Sequence, residues 1–300
     1  MTLSGVHLLL TYQCNLECDH CFVWGSPWQR GTMTLRAVRT VLSQAQELGT
    51  VHSIYFEGGE PFLYYALLVR AVREAAALGF QVGIVSNAYW AEAEEDAEEW
   101  LRPFAGLVAD LSISHDLYHS SDQDDRRAEI VERAARRLHI PLGVISIAQP
   151  AAADAARARG VLPLGISAVM YRGRAAEKLA PRALPQAWDT FTACPHEDLR
   201  EPGRVHVDPL GYVHLCQGIA LGNVFETPLR ELCARYDPTT HPVAGPLLRE
   251  GPRALFNQYA LPHADTYADA CHACYEARKA LRSRFPDILT PDQMYSVIEG

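Results

Sequence analysis

The sequence predicts an α/β fold, and two observations carry that prediction. Over the first two thirds of the chain, short apolar runs alternate with longer segments whose apolar residues recur at helical spacing. Past about residue 180 the rhythm stops, and Pro181, Pro185, Pro195, Pro202 and Pro209 interrupt any regular pattern. A parallel sheet or partial barrel followed by a smaller, irregular extension satisfies both.

The strand candidates are 5–12, 53–58, 82–87, 108–114, 141–147 and 165–171. Most are continuous apolar runs, as expected for parallel strands covered by helices. Between the first two, Thr34 is placed to cap a helix. Leu35, Val38, Val41, Leu42 and Ala45 recur on its one face, and Gly49 closes it. Residues 65–79 read the same way. Residues 91–101 form an acidic helix with a solvated face, and 121–138 a helix capped by Ser121. Six strand–helix units favour a parallel sheet or barrel. The expected division is a first domain at 1–185 and a second at 186–300. In the second, 204–215 reads as a hairpin turning at Pro209–Gly211. Short helices are expected at 227–236, 272–284 and 291–298, the first capped by Thr227 with Pro228 in its opening turn.

Composition narrows the function. The net charge of −9 argues against nucleic acid or an anionic membrane as partner. The first apolar run has no Lys or Arg before it and is too short for a signal-peptide core or a membrane span, so a cytoplasmic protein is expected. In a reducing compartment, the 8 cysteines read as metal ligands rather than disulfides. They fall in two groups: Cys14, Cys18 and Cys21, then Cys194, Cys216, Cys233, Cys271 and Cys274.

The first group, "CNLECDHC", follows the first strand with spacing C-x3-C-x2-C. Three thiolates leave a four-ligand metal site incomplete, and His20, wedged between Cys18 and Cys21, is too cramped to join them. The cluster sits at the C-terminal end of a strand, where barrel active sites lie. A second motif, "FEGGEP", ends the next strand at the same side of the sheet.

Together these motifs resemble the radical S-adenosylmethionine superfamily over roughly residues 5–180. The resemblance implies a partial (β/α)6 barrel. It implies that Cys14, Cys18 and Cys21 hold three irons of a [4Fe–4S] cluster, the fourth iron being left open for S-adenosylmethionine. Reductive cleavage of that cosubstrate to a 5′-deoxyadenosyl radical, which takes a hydrogen atom from substrate, is the implied activity. His20 stands where relatives carry an aromatic residue near the adenine. Gly58 and Gly59 would let backbone approach the methionine end, and Glu60 would accept from its ammonium. Asn87 matches a T-N-G pattern that Ala88 breaks. Ser112 and Ser114 match an S-x-S-x-D pattern and would reach the ribose or carboxylate.

In the second group, Cys194, Cys216, Cys271 and Cys274 suit Zn2+ or a fully ligated [4Fe–4S] cluster equally well by spacing. "GYVHLC", then "LGN" and a short helix, then "CHAC" resemble the SPASM or shorter twitch extension, which implies an auxiliary [4Fe–4S] cluster, with structural zinc as the alternative. The full fold expectation is therefore the barrel plus a C-terminal β-hairpin and helices carrying that cluster.

A fully ligated cluster would serve as electron acceptor, so the expected reaction is a two-electron dehydrogenation. A radical epimerase or a C–C or C–S bond-forming enzyme is the runner-up. Asp116, His115 and His119 are candidate bases, and Arg172 and Arg174 candidate anion holders for substrate. Cys233 shares an apolar helix face with Leu229 and Leu232; it reads as a core residue or as a hydrogen-atom donor. With the first strand starting near residue 5, no room is left for an N-terminal peptide-recognition domain, and a small-molecule substrate is expected ahead of a peptide. A flavodoxin- or ferredoxin-type protein would supply electrons. A plain electron carrier or a zinc-stapled binding module leaves the open site and the second motif without a use.

Overall fold

The computed structural model describes residues 1–119, 126–159, 162 and 164–296. The first part alternates β1 (Gly5–Thr11), α1 (Leu35–Leu48), β2 (Ser53–Gly58), α2 (Tyr65–Ala77), β3 (Gln81–Ser86), α3 (Glu94–Leu101), β4 (Val108–Ser114), α4 (Arg127–Arg137), β5 (Leu142–Ile147), α5 (Pro150–Arg159) and β6 (Ile166–Ser167). The remainder holds α6 (Arg174–Lys178), β7 (Gln186–Ala187), β8 (Arg204–Val207), β9 (Tyr212–Cys216), β10 (Ile219–Asn223), α7 (Leu229–Arg235), α8 (Ala244–Tyr259), β11 (Thr266–Tyr267) and α9 (Ala270–Leu281). Strands β1 to β6 run parallel in chain order, the α/β arrangement the rhythm predicts.

Helix α1 forms as expected. Thr34 Oγ1 accepts from Ala37 N–H at 3.1 Å, and Gly49 turns left-handed at φ +72° to end it. Its buried stripe, Val38, Val41, Leu42 and Ala45, packs into the core, each Val or Leu contributing about 1.5–3 kcal/mol.

Other expectations are corrected. The acidic helix α3 is not a purely solvated face. Glu94 pairs with Arg133 at 2.8 Å, and Arg137 of α4 pairs with both Glu94 and Glu98, because a basic helix lies alongside. Ser121 lies outside the described residues. The sixth strand pairs with β5 over Ile166 and Ser167 only; beyond it, Val169 and Tyr171 leave the sheet to pack on Leu179 and Ala268. Thr227 does not cap α7. Gln44 Oε1 on α1 accepts from Leu229 N–H at 2.6 Å instead.

Helix α8 was not among the expected helices, and Gly251 and Pro252 lie inside it. They kink it, and a Cβ on Gly251 would lie 2.3 Å from Ala193 N. Helix α9 starts two residues before the expected 272, capped by Asp269. Of 291–298, the described part holds one 3-10 turn at Asp292–Tyr295.

The hairpin 204–215 exists, but a third strand, β10, extends it, and β8 pairs parallel to β1. The sheet order is β10-β9-β8-β1-β2-β3-β4-β5-β6, so hydrogen bonding runs on past residue 185. Val205, Val213 and Leu229 share one core with β1 to β4, while α8 and α9 pack a second core against Tyr12 and Trp24. Among the described residues no helix is long and apolar enough to cross a membrane.

Candidate functional site

Strand β1 delivers the cysteine loop to the C-terminal end of the parallel sheet. There Cys14, Cys18 and Cys21 line a cavity that also reaches Asn87, Ser114 and His119. The loop is held by Cys14 N–H to Ser26 O at 3.0 Å and Cys21 N–H to Cys18 O at 3.1 Å. Backbone N–H groups already aim at sulfur: Leu16 at Cys14 Sγ, 3.4 Å, and Gly25 at Cys21 Sγ, 3.2 Å. Such bonds suit thiolates. Burial nevertheless pushes the Cys14 thiol up to about 12 and Cys18 well above the usual thiol range. These sulfurs ionise when a cation replaces the proton.

Zinc and a [4Fe–4S] cluster both take thiolates of this kind. His20 lines the same cavity, and its buried Nδ1 has no hydrogen-bond partner, leaving a polar atom open to a ligand there. Burial, then the neighbouring His119, lowers its pKa to about 4.

In the second motif Gly58 (φ +132°) and Gly59 line the cavity and are also required by the cysteine loop, while Glu60 departs from expectation. A Cβ on Gly58 would meet Thr11 O at 2.4 Å, and one on Gly59 would meet Gln13 O at 2.1 Å. Gly59 N–H and Glu60 N–H donate to those same two carbonyls. Glu60 is fully buried and turned inward. Its carboxylate accepts from Asn87 N–H at 2.7 Å, Phe62 N–H at 3.0 Å and Ser86 Oγ at 3.0 Å. It ties the end of β2 to the end of β3 instead of facing the cavity.

Asn87 does reach the cysteine loop, donating from Nδ2 to Asn15 Oδ1 at 2.8 Å beside Cys14 Sγ at 3.6 Å. Ala88 takes φ +56°, the conformation that explains the glycine of the T-N-G pattern. Ser114 lines the cavity. Ser112 sits deeper and donates to Asp110, because the strand period puts both on the barrel's inner face below the mouth.

Among the base candidates, Asp116 Oδ1 lies 2.8 Å from His119 Nδ1, and Asp116 Oδ2 accepts from Ile147 N–H. Burial raises the Asp116 pKa, but the His119 hydrogen bond and charge outweigh it and the net shift is downward. His20 completes the group, 5.0 Å from the His119 ring. The His115 ring is not among the cavity-lining groups; its backbone N–H joins Ile145 O.

The two arginines part company. Arg174 is buried, with Nη1 on Cys18 O and Nη2 on Gly25 O, both at 2.8 Å, so it braces the cysteine loop and does not face substrate space. Gly173 allows this, since a Cβ there would meet Phe22 O at 2.5 Å. Arg172 lines the mouth cavity and also a second cavity, lined by Cys194, Cys216, Cys271 and Cys274. Its Nη1 donates to Cys216 Sγ and to Glu197 Oε1, each at 3.1 Å.

The four C-terminal thiols thus come together around one cavity. Burial pushes Cys274 up to about 11 and Cys271 well above the usual thiol range. Two residues were missed here. Glu197 anchors Arg172, and buried Arg278 sits one turn further along α9 from Cys274 and adds positive charge beside it, a spacing visible in the sequence. Cys233 is 3% exposed in the core between α7 and α1 and lines neither of the two cavities.

Comparison with known proteins matches residues 8–148, from β1 through β5, to the Radical SAM superfamily model. "Putative peptide biosynthesis protein YydG" of Bacillus subtilis is 30% identical over 116 residues, 38% of this chain and 36% of that protein. The "Tungsten-containing aldehyde ferredoxin oxidoreductase cofactor-modifying protein" of Pyrococcus furiosus is 31% identical over 107 residues, 35% of this chain and 28% of that protein. Each alignment therefore spans about a third of the relative's length. Native anSMEcpe with bound AdoMet and Cp18Cys peptide superimposes with TM-score 0.54 at 13% identity, covering 95% of this chain and 97% of that one. BtrN in complex with AdoMet and 2-DOIA gives TM-score 0.51 at 14% identity, covering 77% and 82%. At these identities the structural matches establish the fold alone, a partial (β/α) barrel.

Proposed function

We propose that this chain is a radical S-adenosylmethionine enzyme that removes a hydrogen atom from a peptide substrate and releases it oxidised by two electrons. The observation that carries this reading is Arg172, whose side chain lines both the mouth cavity and the cavity of the four C-terminal thiols. Cys14, Cys18 and Cys21 would hold an open-iron [4Fe–4S] cluster, which with S-adenosylmethionine supplies hydrogen-atom abstraction. Cys194, Cys216, Cys271 and Cys274 would hold an auxiliary [4Fe–4S] cluster, which supplies one-electron acceptance. Four thiols lining one cavity support such a cluster, with zinc as the alternative.

The chain's own residues do the rest. His119 faces the cavity and takes up the substrate proton, and Asp116 orients its ring from 2.8 Å. His20 lends the cosubstrate an unpartnered nitrogen, and Asn87 fixes the loop beside Cys14. Residues 186–300 would act as the auxiliary-cluster unit. A reduced flavodoxin or ferredoxin would supply the electron that starts each cycle.

The small-molecule expectation finds no support in the comparisons. One relative is named for peptide biosynthesis, and a protein of like fold binds a peptide. Peptides are therefore the first substrates to test.

The test is iron, sulfide and zinc content of anaerobically reconstituted protein, wild type against a Cys14/Cys18/Cys21→Ala variant. Roughly eight irons falling to roughly four are expected. About four irons plus one zinc in the wild type would remove the electron acceptor and favour a redox-neutral radical reaction.

A further inference from the structure

We infer that His7, Glu57 and His206 form a binding site for one divalent transition-metal ion of the zinc or iron class inside the barrel, distinct from both cysteine sets. The three residues come from the adjacent parallel strands β1, β2 and β8. His7 stands opposite His206 on one side and Tyr55 on the other, and Glu57 follows Tyr55 by two residues. Residues two apart share a face and neighbouring strands lie about 4.8 Å apart, so all three side chains point inward from one patch of the concave sheet.

Curvature brings their tips together. His206 Nε2 lies 3.1 Å and His7 Nδ1 3.4 Å from Glu57 Oε1, and the three ligand atoms all lie within 4.8 Å of one another. His7 Nδ1 and Glu57 Oε1 are buried, and apart from these contacts with one another and with His206 they meet no other aligned hydrogen-bond partner, which leaves an ion at their common focus room to take both.

The donor set has a chemistry of its own. Two imidazoles and one carboxylate are the ligands of open zinc sites and of non-haem iron triads, which keep coordination positions free. Tyr55 holds the His7 ring from outside the triad, stacking at 4.6 Å while its hydroxyl donates to Asp110 at 3.0 Å. Glu57 also lines the mouth cavity, and His7 lines a separate cavity beside Ser53 and Gly203. An ion here would offer its free position to a substrate carbonyl or carboxylate oxygen entering by the mouth. This inference does not depend on which groups the cysteines hold.

The experiment uses the iron–sulfur-reconstituted protein, stripped of loose metal, incubated with Zn2+ and desalted. Zinc is counted by mass spectrometry, and its ligands are read by X-ray absorption at the zinc edge. The expected result is about one zinc per chain with a nitrogen/oxygen shell and imidazole scattering. That zinc should be lost in His206→Ala and Glu57→Gln and kept in Tyr55→Phe, with circular dichroism reporting the fold of each. No zinc retained by the wild type, a sulfur-only shell, or full zinc in both folded ligand variants would overturn the site. Should both variants unfold, the wild-type shell alone decides between imidazole and sulfur.

Discussion

Arg172 places Nη1 3.1 Å from Cys216 Sγ while Glu197 Oε1 holds the same nitrogen at 3.1 Å. A buried guanidinium thus donates directly to one of the four C-terminal thiols, and buried Arg278 stands one turn along α9 from Cys274. In the proposed auxiliary cluster, two fixed positive charges beside the thiolates would favour the more negative, reduced state. Substituting Arg172→Met should lower the midpoint potential of the auxiliary cluster by about 60–130 mV, taking a charge-assisted bond as about 1.5–3 kcal/mol. Potentiometric EPR checks this, with Arg172→Lys expected to lie between. An unchanged potential in Arg172→Met would sink the tuning role.

Arg174 should matter for iron and not for substrate affinity. Arg174→Met removes the guanidinium donor from Cys18 O, which keeps only Cys21 N–H, and from Gly25 O, at about 1–3 kcal/mol for a carbonyl left unpaired. The loop should then release its cluster, leaving roughly four irons of eight on reconstitution. Full iron content with a raised KM would instead restore the substrate-binding role.

Glu60 makes stability depend on pH. Burial outweighs the hydrogen bonds from Asn87, Phe62 and Ser86 and raises its pKa from 4.5 to about 7. The folded state keeps a proton that the unfolded state gives up. This contribution is therefore full below about pH 4.5 and is lost as pH rises through 7, about 3 kcal/mol in all and most of it between pH 5 and pH 8. Denaturant unfolding at pH 5 and pH 8 should show Glu60→Gln gaining on wild type by that amount. Parallel profiles for the two proteins would contradict the protonated folded state.

Ala88 carries backbone strain at φ +56°. Ala88→Gly should stabilise the protein by about 0.5–1.5 kcal/mol, the left-handed penalty less the added freedom of the unfolded chain. A shift of the urea midpoint at constant slope reads it directly; a loss of stability would mean that the Ala88 methyl group packs for more than its strain.

Cys233→Ala should cost about 1 kcal/mol by emptying a small volume in the α7–α1 core. Iron content, S-adenosylmethionine cleavage and product formation should stay at wild-type levels. Cleavage preserved with product formation abolished is the pattern a hydrogen-atom donor would give.

Much of this was legible in the chain. The six parallel strands, the capped helix at 35–48, and the cysteine loop at a strand's C-terminal end follow from periodicity and from motifs a few residues long. Such signals are local, so the sequence displays them directly. The purpose of individual side chains was not local. "FEGGEP" does border the mouth cavity through Glu57, Gly58 and Gly59. Its glycines, however, answer to the backbone of Thr11 and Gln13, and its second glutamate to β3.

The sequence by itself determined the α/β rhythm, the two cysteine groups and the motif that resembles the superfamily. The tertiary structure alone decided that β8 joins β1, that Arg174 reaches Cys18 across 156 positions, that Cys233 is core, and that His7 and His206 meet over Glu57. These outcomes depend on strand register and on which face of each element turns inward. Both are fixed by the collective packing of the core, and no short window of residues records that.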